Sequence, residues 1–109
     1  MDVALDLDLP GSDTLPPERC ANVLAIIQET MSNVVRHARA RHILVIANRP
    51  GERLHLVIRD DGIGIPVNGI EGHGLRNMRD RAALLHGQLV VEKMEKGTSV
   101  TLDIPWKVE

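Results

Sequence analysis

The sequence predicts a two-layer α/β (α+β) sandwich, a mixed β-sheet covered on one face by helices. Short stretches of period-two apolar alternation recur along the chain, and two stretches of helical period separate them. The order strand, helix, hairpin, glycine-rich stretch, helix, hairpin holds the two helices too far apart for regular βαβ winding. The 109 residues, 43% apolar and 26% charged, suit one globular domain spanning 1–109.

Val3, Leu5, Leu7 and Leu9 alternate with Asp2, Ala4, Asp6 and Asp8, which predicts a half-buried strand over about 2–9 with an acidic outer face. A loop follows at Pro10–Asp13, and Pro16-Pro17-Glu18 opens a helix with proline and an acid in its first turn. Cys20, Val23, Leu24, Ile27, Met31, Val34 and Ala38 keep helical spacing, so one long helix is expected over about 17–38. His42–Asn48 and Leu54–Asp60 form a hairpin through the Arg49-Pro50-Gly51-Glu52 turn. Residues 61–74 hold five glycines, too many for a packed element, and read as a mobile lid. Leu75, Met78, Ala82 and Leu85 return to helical spacing up to a stop at His86-Gly87. Leu89–Lys93, a Glu95-Lys96-Gly97 turn and Thr98–Ile104 make a second hairpin. The sheet face carrying Asp6, Asp8, Arg59 and Thr101 is expected to be wet or open to a partner.

Composition excludes several classes of function. Phe and Tyr are absent and Trp106 is the only aromatic residue, so stacking on nucleobases is disfavoured. The formal charge of −2 gives no cationic excess for a phosphate backbone, which argues against nucleic acid as a partner. Cys20 stands alone, so neither an internal disulfide nor a thiolate cage is possible, and a small buried hydrophobe is its simplest role. No apolar run approaches the ~20 residues of a membrane span, and the start carries no signal pattern, which fits a cytosolic chain. The chain enters a strand at once, which suits a domain excised from a longer protein as well as a complete small one.

Asp60 closes its strand on the same face as Leu54, Leu56 and Ile58, so a carboxylate is aimed into the core layer. Burial of a charge without a partner costs several kcal/mol; the alternative is an ordinary turn aspartate before Gly62. On the long helix Glu29, Asn33 and His37 lie four apart and form one stripe, with Arg36 beside it, bordering the apolar face. A solvated flank is the plainer meaning of such a stripe. Yet Asn is a poor mid-helix residue, and an amide oxygen beside a carboxylate suits Mg2+. Gly72-His73-Gly74 precedes Leu75 at a helix N-terminus, where free N–H groups favour phosphate. Neither the dinucleotide fingerprint nor the P-loop pattern occurs.

Glu29 and Asn33 on a helix, then Asp60-x-Gly62-x-Gly64, then Gly72-x-Gly74 before a second helix, resemble the N, G1 and G2 boxes of the GHKL ATPase superfamily. Within it, Gln28-Glu29-x3-Asn33-x3-His37-Ala38-x-Ala40 and Gly72-His73-Gly74-Leu75-x-Asn77-Met78-x-Asp80-Arg81 resemble the catalytic domain of sensor histidine kinases of the nitrate/nitrite-sensor type. The resemblance runs from about Leu5 to Ile104 and implies a Bergerat ATP-binding fold with a short glycine-rich lid. By this similarity ATP and Mg2+ are the cofactors. Asp60 would accept a hydrogen bond from the adenine amine, with Gly62 and Gly64 letting the backbone approach the base. Asn33 would ligate Mg2+ with Glu29 beside it, both serving catalysis. Arg36, His37 and His73 would touch phosphate or ribose, although each also fits a solvated surface. Gly72, Gly74 and Leu75 would close over the triphosphate, and Thr98 would support the Asp60 end of the pocket.

The family's acceptor signature, a histidine followed by an acid on a helix, is absent from His37, His42, His55, His73 and His86. The resemblance therefore implies γ-phosphate transfer to a histidine on a separate dimerisation helix bundle of the same protein, with a response regulator as indirect partner. It further implies that the chain is a cytosolic fragment of a membrane-anchored sensor, monomeric alone and homodimeric when whole. A stand-alone GHKL regulator that binds a partner protein, of the anti-sigma-factor kind, is the alternative; a fold relic that binds nothing is disfavoured because all the boxes are present.

Overall fold

The computed structural model describes residues 2–11, 13–63 and 73–107. Its elements are β1 (Asp2–Asp8), α1 (Pro17–Asn33), a π-helical turn (Val34–Ala38), β2 (His42–Asn48), β3 (Arg53–Asp60), α2 (His73–Leu84), β4 (Gln88–Lys93) and β5 (Thr98–Pro105). They build one five-stranded sheet in the order β1-β2-β3-β5-β4. β1 pairs with β2 in parallel and every other pairing is antiparallel, so the sheet is mixed as expected.

α1 begins where Pro16, extended at φ −53° and ψ 143°, turns into Pro17 at the first helical position. The Pro16 carbonyl accepts the Arg19 and Cys20 N–H groups. Regular α-geometry stops at Asn33, and the last five residues of the expected 17–38 helix form the π turn, ending at Arg39 in the left-handed region (φ 51°). α1 and α2 pack through Thr30, whose Oγ1 donates to the Ile26 carbonyl and lies 3.2 Å from the Met78 sulfur. Beneath them, Val23, Ile26, Leu56, Met78, Leu102 and Ile104 anchor the main core, with Trp106 at one end. A smaller cluster, Val34, Ile43 and Ile58, closes the other end, under the C-terminus of α1.

Two expectations need correction. β1 is not half-buried: Val3, Leu5 and Leu7 are 51%, 64% and 58% exposed, and Leu9 beyond it is 44% exposed. The parallel register pairs Val3 with Ile43, Leu5 with Val45 and Leu7 with Ala47, so these side chains do face the helix layer. β1 is an edge strand, however, and neither helix covers it. Cys20, expected to be a buried hydrophobe, is only partly buried. α2 stops before His86-Gly87 as expected, with His86 as the left-handed residue (φ 58°); the Gly87 N–H reaches the Ala82 carbonyl and the His86 N–H the Ala83 carbonyl, the double closure of a Schellman cap. Gly87 serves another purpose, since a Cβ there would lie 2.3 Å from Ile104 Cγ2 and 2.4 Å from the Asp103 carbonyl oxygen.

Arg19, to which the sequence reading gave no role, is 2% exposed on α1. Its Nε donates to the Pro105 carbonyl at 3.1 Å and its Nη2 to the Leu85 carbonyl, joining α1 to the ends of α2 and β5. A basic residue at helical spacing ordinarily signals a solvated face, which is why the pattern hid it.

Candidate functional site

β3 carries its alternation through to the last residue, so Asp60 follows Leu56 and Ile58 into the helix layer and is only 8% exposed. Its register partner is Ile43, which packs with Val34 and Ile58. Asn33, directly before Val34 and also 8% exposed, is thereby held at the same corner of the molecule as Asp60. The acid of the hairpin and the amide of the helix thus share a corner because one apolar cluster pins both.

The Asp60 carboxylate has donors of its own. The Gly62 N–H reaches Oδ1 at 2.9 Å, a local turn across one residue, and the Thr98 main chain supplies a second hydrogen bond. The buried acid thus has main-chain partners without any ligand or water. Burial nonetheless outweighs these bonds and pushes the Asp60 pKa up, with the neighbouring Asp61 charge adding to the rise. Behind it, Gly97 (φ +83°) touches the strand so closely that a Cβ would sit 1.8 Å from the Asp60 carbonyl oxygen. Thr98, whose main chain makes that second bond, is 1% exposed.

Asp61 is the opposite case. One of its oxygens accepts the Arg41 and His42 N–H groups at 2.9 Å each, and the other meets His42 Nδ1 at 2.6 Å. The His42 ring and N–H contacts hold its carboxyl well below the usual carboxylate range. Two adjacent aspartates therefore separate in role: Asp61 clasps the end of β3 to the start of β2, and Asp60 faces inward with its proton held more tightly.

On α1 the predicted stripe is partly in view. Arg36 Nη2 lies 3.3 Å from Asn33 Oδ1 and 3.7 Å from Glu29 Oε1, so one guanidinium bridges the two acceptor oxygens. These are hard oxygens of the type Mg2+ accepts, but among the described residues no group of three or more His, Cys, Asp or Glu could hold a metal alone. A magnesium ion here would take its remaining ligands from phosphate and water, and Arg36 would have to move aside. Leu75 is 6% exposed and sits in the main core, so only its main chain is free to face a ligand. Gly64 and Gly72, with most of the expected lid, lie outside the described residues. The side chain of His37 in the π turn, and those of His73 and Gly74 in the first turn of α2, lie outside them as well. α2 begins at His73, so Gly74 is helical where a pre-helical loop was expected.

A family model described as histidine kinase-, DNA gyrase B-, and HSP90-like ATPase matches residues 21–108. The chain is 34% identical over 85 residues to the sensor histidine kinase YvfT of Bacillus subtilis (strain 168), covering 77% of this chain and 23% of that protein. It is 33% identical over 97 residues to the nitrate/nitrite sensor protein NarX of Escherichia coli (strain K12), covering 87% of this chain and 16% of that one. The chain thus spans less than a quarter of either relative. Among solved structures, the histidine kinase domain of the Erythrobacter litoralis EL346 blue-light activated histidine kinase superposes with a TM-score of 0.79 at 23% identity, over 95% of this chain and 52% of that one. The ATP binding domain of PrrB from Mycobacterium tuberculosis gives 0.69 at 23% identity, over 95% and 82%. At these identities the two structures establish the fold alone.

Proposed function

Because the chain belongs to the family of histidine kinase-, DNA gyrase B- and HSP90-like ATPases, we propose that it is the ATP-binding catalytic domain of a sensor histidine kinase of the nitrate/nitrite-sensor type. The observation that carries this reading is Asp60, a carboxylate held 8% exposed at the cost of a raised pKa. In a merely structural turn, nothing would offset that cost. An adenine amine donating to the carboxylate does, because a charged acceptor gains from a donor in a site with little water. By the family resemblance Gly62 and Gly64 would let the main chain approach the base, and the Thr98 main chain holds the carboxylate from behind.

Asn33, with Glu29 beside it, would hold Mg2+, with Arg36, which now bridges the pair, released toward phosphate. Mg2+ would supply charge neutralisation on the phosphates, and the protein's part in the transfer is positioning. By the family resemblance His37 and His73 would contact ribose or phosphate, and the segment from Gly72 through Gly74 to Leu75 would receive the triphosphate at the start of α2. The acceptor is a histidine on a separate dimerisation helix bundle of the same protein, which passes the phosphoryl group on to a response regulator. The whole protein is a homodimeric, membrane-anchored sensor with this domain in the cytosol. Sensor histidine kinases and a nitrate/nitrite sensor among its relatives support the assignment.

Calorimetry with ATP and Mg2+ tests it. Saturable binding by the isolated chain, abolished in Asp60→Asn, is expected. Undiminished binding by that variant removes adenine recognition from Asp60.

A further inference from the structure

Among the described residues, the helix layer leaves the β1 end of the sheet uncovered. Val3, Leu5, Leu7 and Leu9, with Leu24 on α1, make up five of the ten exposed large apolar side chains among the described residues. Leu7 and Leu9 form one wall of a cavity of 450 Å³ whose other walls include Val23 and Ile27 of α1, and Trp106. At 100° per residue, Leu24 and Ile27 lie on the flank of α1 opposite the Glu29–Asn33 stripe, so this groove is separate from the nucleotide corner. Isolated exposed leucines need no explanation, but a row of them along β1 leading to an apolar cavity lined by core residues makes a groove that marks an interaction site.

We infer that this groove docks an amphipathic helix with basic flanks, running alongside α1 over β1. Three features select that occupant. The apolar groups stand on the sheet face, in the layer already occupied by α1 and α2; a strand added at the β1 edge would leave Leu5, Leu7 and the cavity uncovered. The seven residues of β1 extend about 23 Å at ~3.3 Å each, the length of roughly fifteen helical residues at 1.5 Å each, so one ordinary helix spans the groove and sets a large apolar side chain into the cavity. The charged residues of β1 are all acidic: Asp2 lies 3.6 Å from His42, and Asp6 and Asp8 have no ion pair among the described residues. Lysine or arginine side chains are long enough to reach these acids around an edge strand. A second copy of this chain on the same face would instead bring a second row of aspartates beside the first.

The test is a selection from a display library of sixteen-residue peptides lacking tryptophan, made against this chain without nucleotide. Enriched peptides are expected to carry apolar residues at i, i+3 or i+4, and i+7, flanked by Lys or Arg. Trp106 is the chain's only aromatic residue, and its fluorescence should change saturably as the winning peptide is titrated. Leu5→Asp and Leu24→Asp, at exposed positions, should keep the thermal melt of the parent and weaken binding at least tenfold. Asp6→Asn with Asp8→Asn should weaken it and flatten its salt dependence. The inference is overturned by acidic or strand-patterned winners, by no enrichment, or by undiminished binding to Leu5→Asp. Sedimentation showing a dimer that Leu5→Asp dissolves would give the groove to a second copy and overturn it equally. Loss of ATP binding, by contrast, would leave this result untouched.

Discussion

At the scale of single residues, Asp60 sets function against stability. A carboxylate whose folded pKa lies above its unfolded value weighs against folding at neutral pH, and that penalty relaxes as pH falls through the folded pKa. Asp60→Asn should therefore melt no lower than the parent at pH 7, while losing nucleotide by about 2 kcal/mol or more, the scale of a charged hydrogen bond. Scanning calorimetry and a titration measure the two halves separately. ATP affinity of the parent should fall on acidification at a pH above that of an ordinary aspartate, since adenine's amine needs the ionised form. Gly97 is the second sensitive position: with φ +83° and the Asp60 carbonyl in the place of a Cβ, Gly97→Ala should cost about 3 kcal/mol in urea denaturation and lose nucleotide as well.

At the scale of elements, the inward direction of Asp60 was legible because strand periodicity is strict, and the Glu29–Asn33 stripe because helical spacing is. What escaped were features set by partners distant in the chain. Alternation in β1 correctly chose its inward face but carried no information about whether a helix lies over it. Arg19 resembled any solvated cation until Leu85 and Pro105, 66 and 86 residues away, proved to be its acceptors. The stop at His86-Gly87 was found, but the left-handed turn fell to the histidine because the glycine was needed against Ile104. Ile26, 0% exposed between α1 and the sheet, should lose about 3 kcal/mol on Ile26→Ala, within the usual range for a buried isoleucine. Asn33→Asp should damage transfer of labelled phosphate to a separate acceptor helix bundle more than it damages ATP binding; equal transfer would remove Asn33 from the metal.

At the scale of the whole molecule, the mixed two-layer class was readable from element order, whereas the position of β5 between β3 and β4 was not, since hairpin signals alone do not say which hairpin strand meets the first one. With Asp13, whose carboxyl Arg49 holds low, Asp61 shapes the acid limb. Its carboxyl is held below the usual range by His42 and the Arg41 and His42 N–H groups, so its contribution is present above the unfolded pKa and is lost as pH falls toward the folded one. Asp61→Asn should destabilise the domain at pH 7 and converge with the parent in strong acid, as followed by Trp106 fluorescence.

On the proposed function, a residue that burdens the empty fold and offsets that burden only when a purine is present has a distinctive fate under mutation. In any descendant freed from nucleotide duty, drift would erase that acid early, while the Asp61 clasp beside it persisted, so the pair would serve as a marker of which lineages still use their substrate.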